Sequence, residues 1–300
     1  MKDLVSLADW PRKAIDDTLT LGLDLKRNPA KYASVMERRT LVMLFEKPSL
    51  RTRVSFETGM TQMGGHAIYY DLGTSPLGAG KETVGDTARV LSRYADVIMA
   101  RLFEHATIVG LAKHATIPVI NGLTNDEHPT QILADLMTIV EHKGRLEGLR
   151  LAYLGDGRNN VTHSLMLGCA KVGMHIRVGC PREPAFSPHP DFVKRALKIA
   201  RTTGAEVDIT DDAARAVRGA DVVYTDSWMS YHIPEEQMAG RRERFMPYQI
   251  TGDLMRKAKK NAIFMHCLPA VRGCEMTADV IDGPQSVVFD QAENRLHIHK

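Results

Sequence analysis

The sequence predicts an α/β protein of two doubly wound parallel-sheet domains joined by interdomain helices. Three observations predict it. Short apolar runs alternate with amphipathic helical patterns along almost the whole chain, the β-α-β rhythm of parallel sheets covered by helices on both faces. The chain has 300 residues, too many for one ordinary core. A long apolar-periodic segment, "PTQILADLMTIVEHKG", interrupts the rhythm near its middle, with Gly144 as its stop.

Taken in order, the strand candidates of the first half are "TLVMLF", "HAIYYDLG", "DVIMAR" and "IPVING". Those of the second half are "LRLAYLGD", "HIRVGC", "AEVDIT", "ADVVYTD" and "NAIFMHCLP". Between them lie helical patterns such as "TVGDTARVLSRYA" and "DFVKRALKIARTTG". The mid-chain helix is expected to bridge two domains, residues 1–136 and 137–300.

Bulk composition narrows the class. Apolar residues make up 44% and charged residues 25%, as in soluble globular proteins. The net charge of +3 is spread along the chain, with no dense Lys/Arg block, so no nucleic-acid partner is expected. The four cysteines (Cys169, Cys180, Cys267, Cys274) form no CxxC pair and read as reduced thiols. The opening "MKDLVSLADWPRKAIDD" has no long apolar run and no segment approaches a membrane span. The expected localisation is cytoplasmic, with no membrane partner.

Ligand sites in α/β proteins lie beyond the carboxyl ends of strands. After "TLVMLF" comes Ser49-Leu50-Arg51-Thr52-Arg53, at the mouth of a helical segment. Helix N-terminal N–H groups, hydroxyls and guanidinium forks all suit phosphate oxygens. The plainer reading, a capped helix with solvated arginines, loses weight because of the buried strand in front. Arg101 closes another strand, and His128 and Gln131 flank Pro129 at a helix start. In "YLGDGRNN", Gly155 and Gly157 give GxG, but Asn160 stands where a dinucleotide site wants its third glycine. Asn159 and Asn160 instead offer amides suited to a small zwitterion. Asp226 ends a strand and Ser230 follows, offering a carboxylate for an ammonium group, with an N-cap as the structural reading. His266 and Cys267 adjoin at a strand end. Neighbours on a strand face opposite ways, which argues against a thiol protease, and no second Cys or His stands at metal-ligand spacing. The terminal "HIH" reads as a surface tract.

Together these stretches resemble the transcarbamylases, most closely the branch that uses ornithine. The resemblance rests on Ser49-Leu50-Arg51-Thr52-Arg53 (S-x-R-T-R), His128-Pro129-Thr130-Gln131 (H-P-x-Q) and His266-Cys267-Leu268-Pro269 (H-C-L-P). "GDGRNN", "TDSW", "DTARVLSRY" and "FDQAENRLH" add to it, and it covers essentially the whole chain. It implies transfer of a carbamoyl group from carbamoyl phosphate to the δ-amine of ornithine, in arginine metabolism, without metal or cofactor. Residues 1–136 would bind carbamoyl phosphate, the C-terminal segment packing back on them, and 137–300 would bind ornithine. Ser49, Leu50, Arg51, Thr52, Arg101, His128, Gln131, Cys267, Leu268 and Arg295 would address carbamoyl phosphate, with Arg51, Arg101, His128 and Cys267 catalytic. Asn160, Asp226, Ser230 and Tyr231 would hold the amino acid. A homotrimer with shared sites and closure between domains is also implied.

The sequence departs from the family in three places. The loop D-x-x-x-S-M-G reads Asp226-Ser-Trp-Met-Ser230-Tyr231-His232. Pro76 or Leu77 stands where relatives often have a glutamine that reaches a neighbouring subunit. Relatives usually continue beyond "ENRLHIHK" into a final helix. Transcarbamylases for putrescine or an N-acylated ornithine are the nearest alternatives, and Asn160 and Ser230 argue for an acceptor bearing an α-carboxylate. A nicotinamide oxidoreductase lacks its third glycine, and a non-catalytic regulator would be expected to lose the anion-site arginines.

Overall fold

The computed structural model describes residues 3–229, 233, 236 and 238–300. They form two compact units, Met1–Met137 with Glu293–Lys300, and Thr138–Ala292. Each is built on its own parallel sheet, and the nine apolar runs supply the nine strands found among the described residues.

In the first unit the strands are β1 (Thr40–Phe45), β2 (His66–Asp71), β3 (Val97–Arg101) and β4 (Val119–Leu123). Their order is β2-β1-β3-β4. Helix α1 (Arg12–Arg27) precedes them. Helices α2 (Leu50–Gln62), α3 (Val84–Tyr94) and α4 (His105–His114) make the crossovers, and α5 (Pro129–Lys143) leaves the sheet. The pleat assigns the two faces. Val42 and Leu44 point to one side and pack with Ile98, Ala88, Ile108 and Leu111, under α3 and α4. Leu41, Met43 and Phe45 point to the other and pack with Leu25, Phe56 and Met60, under α1 and α2. Apolar side chains on both faces explain why these strands read as continuous apolar runs.

The second unit has β5 (Arg150–Leu154), β6 (His175–Gly179), β7 (Val207–Thr210), β8 (Val222–Thr225) and β9 (Ile263–His266), in the order β7-β6-β5-β8-β9. Its helices are α6 (Asn160–Val172), α7 (Pro190–Thr203), α8 (Ala213–Val217), α9 (Met238–Phe245), α10 (Gly252–Met255), α11 (Ala278–Ile281) and the start of α12 (Val288–His299). Ala152, Leu154, Val223 and Phe264 pack with Val217, Leu254 and Val280. The chain leaves the first unit within α5 and re-enters it within α12. The terminal "HIH" is part of α12, and both His297 and His299 are buried, against the expected surface tract. Their i,i+2 spacing puts them on opposite sides of α12, so the helix is covered on more than one side, His299 by Phe56, and polarity alone misjudged it. Among the described residues no helix is long and apolar enough to cross a membrane.

Both sheets reverse strand order once, between β1 and β3 and between β5 and β8. Loops leaving neighbouring strands at such a point diverge to opposite faces and open a crevice at the carboxyl ends. The turn after β5 depends on Gly155, whose φ of +126° is closed to side chains and whose added Cβ would lie 3.0 Å from Trp228 Nε1. Gly155→Ala should therefore lower unfolding stability by about 2 kcal/mol, read as a shift of the urea midpoint. A midpoint equal to that of the parent protein would show that the turn relaxes around a methyl group.

Candidate active site

In the first unit, four segments bring cationic and hydroxyl groups together at the sheet's carboxyl end. Ser49 caps α2, its Oγ accepting from the Thr52 N–H at 3.3 Å. Leu50 is exposed and brings only its backbone to the helix mouth. The two motif arginines divide: Arg53 Nε donates to Glu57 at 3.0 Å and its guanidinium lies 3.9 Å from the Tyr69 ring. Arg51 Nε is buried with no partner among the described residues. Thr52 is fully buried, and its Oγ1 accepts from Arg295 Nη2 at 2.7 Å.

Arg101 ends β3 opposite Phe45, at the switch point, and its carbonyl accepts from the Glu46 N–H at 2.9 Å. The His128 carbonyl accepts from Gln131 N at 3.2 Å and starts α5, with Pro129 in its first turn. Gln131 Nε2 donates to Asp135 Oδ1 at 2.8 Å, and its Oε1 is a buried acceptor with no partner among the described residues. One member was not foreseen. Lys47 follows β1, is buried, donates to Asn125 Oδ1 at 2.6 Å and lies 4.4 Å from the Phe103 ring centroid.

So much positive charge in one place acts on the groups that can lose a proton. Burial, then Arg295 and Arg101, hold the His128 imidazole well below its ordinary range, so it is neutral at pH 7. Burial, then Arg101, lowers the Lys47 ammonium to about 8. Arginine cannot respond this way and stays charged.

The second unit gathers a different set. Asp226 follows β8, its Oδ2 accepting from Asn159 Nδ2 at 2.6 Å and its Oδ1 from the Cys267 thiol at 2.8 Å. Asn159 in turn caps α6 through the Val161 N–H at 2.6 Å. Asn160, the residue singled out from sequence, is the first residue of α6, one place beyond the amide that binds Asp226. Cys267 and Leu268 belong to this unit. Leu268 adopts φ 59°, with its N–H donating to His266 Nδ1 at 2.8 Å. Ligand atoms of Asp226, His266 and Cys267 lie within 4.8 Å of one another. The Cys267 thiol and His266 Nδ1 are both already engaged in the hydrogen bonds just described. Ser230 and Tyr231 lie outside the described residues.

Arg241 braces this set, and sequence reasoning missed it because "RRERF" reads as a solvated charge run. Its guanidinium pairs with Asp156, its Nε donates to the Trp228 carbonyl at 2.9 Å, and the Phe186 and Phe245 rings flank it at 5.4 and 5.1 Å. The turn after β5 is thereby tied to the segment after β8.

Two family models match the chain: the carbamoyl-P binding domain of aspartate/ornithine carbamoyltransferases over residues 2–141, and their Asp/Orn binding domain over 147–300. The ornithine carbamoyltransferase of Anoxybacillus flavithermus is 50% identical, the alignment covering 100% of this chain and 94% of that one. That of Picrophilus torridus is 48% identical over 100% and 97%. The solved structure of ornithine carbamoyltransferase from Pyrococcus furiosus superposes with a TM-score of 0.94 at 47% identity, covering 99% and 94%.

With Lys47 lowered to about 8, an anion held beside it would be bound pH-dependently. Its charged form is lost as pH rises through about 8, so Lys47→Met should bind inorganic phosphate about tenfold more weakly than the parent at pH 7 by calorimetry. The gap should narrow between pH 8 and 9. A gap of constant size across that range would place Lys47 outside the anion set.

Proposed function

The chain belongs to the aspartate/ornithine carbamoyltransferase family, and from that premise we infer its reaction. It transfers the carbamoyl group of carbamoyl phosphate to the δ-amine of L-ornithine, giving L-citrulline and phosphate. The observation that carries the choice of amine is Asp226. Its carboxylate is fixed by Asn159 and Cys267, and an ionised carboxylate with lone pairs to spare attracts an ammonium group. An aspartate acceptor would bring more negative charge to that set. Asn160, at the amino end of α6, offers an amide and a helix N-terminus to the α-carboxylate that ornithine has and putrescine lacks.

The residues divide the chemistry. The α2 N-terminus, Ser49, Leu50 N–H, Arg51 and Thr52 hold the phosphate, with Arg295 fixing Thr52. Arg101 and the neutral His128 donate to the carbamoyl oxygen, where charge develops as the amine attacks. Gln131 Oε1 accepts from the carbamoyl NH₂ and orients it. The neutral δ-amine adds to the carbonyl carbon, its proton passes to the departing phosphate, and the tetrahedral species collapses as the carbon–oxygen bond to that phosphate breaks. Cys267 and Leu268 act by holding Asp226 and the chain beyond β9. Ser230 and Tyr231 complete the amino-acid side.

We further propose a cytoplasmic homotrimer serving arginine metabolism, each site completed by a loop from a neighbouring subunit. The family resemblance supports this.

The test is carbamoylation of ornithine, putrescine, N-acetylornithine and aspartate, with the ureido product quantified. Ornithine should be preferred by at least about a hundredfold, because a site built for a carboxylate rejects the diamine lacking it. Preference for another amine would overturn the acceptor assignment. Arg51→Ala should raise KM for carbamoyl phosphate about a hundredfold and Asp226→Ala should do the same for ornithine, each leaving the other KM near the parent value. Swapped or equal effects would refute the division of roles.

A further inference from the structure

Hydrogen bonds from Arg295 and His299 join helix α12 to α2. Arg295 Nη2 donates to Thr52 Oγ1 at 2.7 Å. Four residues on, His299 Nδ1 lies 2.7 Å from Ser55 Oγ. Arg295 and His299 share a face of α12 by their i,i+4 spacing, as Thr52 and Ser55 share a face of α2 by i,i+3. The single Ser55 hydroxyl hydrogen is directed at helix carbonyls, Arg51 at 2.5 Å and Thr52 at 3.2 Å. Ser55 therefore accepts, His299 donates from Nδ1, and the lone pair sits on Nε2. That Nε2 is buried with no partner among the described residues.

The imidazole has little freedom. It stacks on Phe56 at 3.9 Å with 11° between planes, and the residue is only 9% exposed. The helices also touch at Gly59, where an added Cβ would lie 3.3 Å from Lys300 Cγ. Burial and Arg295 keep the ring neutral, which preserves the tautomer the hydrogen bond needs.

We propose that His299 is a positioning residue for the phosphate set, holding the first turn of α2 at fixed spacing from Arg295 through Ser55 and the Arg51 carbonyl. The inference rests on the reading of that set as the carbamoyl phosphate site. Ser55 bonds back to the i−4 carbonyl as a helical serine does, and that carbonyl belongs to Arg51, so the rung bears directly on the turn that carries the proposed anion ligands. Without the second rung, the Thr52–Arg295 bond alone ties this turn of α2 to α12, and Arg51 can shift so that the anion loses simultaneous contact with all three.

Steady-state kinetics on the full chain test it, with His299→Ala, His299→Asn, Ser55→Ala, His299→Ala/Ser55→Ala and Arg51→Ala beside the parent. His299→Ala and Ser55→Ala should each raise KM for carbamoyl phosphate about five- to tenfold, with KM for ornithine within about twofold of the parent. The double variant should be no worse than the worse single one, since both remove the same rung. His299→Asn, whose amide N–H replaces Nδ1–H, should recover most of the loss. Unchanged carbamoyl phosphate KM in His299→Ala and Ser55→Ala, beside a raised one in Arg51→Ala, overturns the positioning role and leaves the site intact. Equal rises in both KM values would mean general loosening and overturn it too. Should His299→Ala fail to fold, Ser55→Ala, which removes only one oxygen, decides alone. If Arg51→Ala also binds normally, the phosphate reading fails and the proposal with it.

Discussion

Cations kept out of water at the carboxyl end of one sheet set the terms for the first unit. Lys47, Arg101 and Arg295 are each no more than 5% exposed, and Arg51 stands at the same helix mouth. Holding like charges together in a poorly hydrated place is unfavourable, and the fold shows where the strain goes. His128 stays neutral and Lys47 is poised to lose its proton near pH 8, whereas the arginines have no such outlet. The amino ends of α2 and α5 add partial charge of the same sign. A chain selected for stability alone would exchange these groups for apolar ones. The phosphate dianion proposed for this set would supply the missing charge.

The set around Asp226 has the opposite polarity. Burial raises the Asp156 and Glu275 carboxylates above their usual range, and nearby Asp226 adds to the effect in both. Arg241 offsets Asp156, and Glu275 accepts from the Val271 N–H at 2.9 Å. The local field thus favours a cation near Asp226. One set of site residues gathers cations and the other carboxylates, which in the proposed reaction would sort a phosphate from an amino acid's ammonium before any shape is read.

The strands were legible because a strand buried on both faces has no polar residue to hide it, as "TLVMLF" and "ADVVYTD" show. The motif positions were legible because they sit at strand ends, where a parallel sheet puts its chemistry. What escaped depended on contacts between distant segments. Lys47 adjoins a foreseen motif, but only a fold reveals that its side chain turns inward to Asn125. Asn159 and Asn160 are indistinguishable as a pair until the start of α6 makes one the cap and the other the first helical residue. Arg241 lies 85 residues from its partner Asp156, and His299 lies 244 from Ser55. No periodicity within a short window reports such pairings.

The end of β9 bears on how tightly the acceptor set is specified. Leu268 occupies the left-handed region at φ 59°, which costs a residue with a branched side chain on the order of 1 kcal/mol. Ordinary extended backbone would avoid that cost. The hydrogen bond from its N–H to His266 Nδ1 offsets part of it, and Gln291 Oε1 anchors the His266 N–H at 2.9 Å. With the chain bent sharply there, the Cys267 thiol reaches Asp226 Oδ1 while His266 remains wholly buried. An unstrained path would carry Cys267 elsewhere and leave Asp226 with Asn159 alone. The strain is therefore best understood as the cost of holding one carboxylate oxygen at a fixed point. Discrimination between acceptors differing by a single charged group needs that fixity more than a marginal gain in stability.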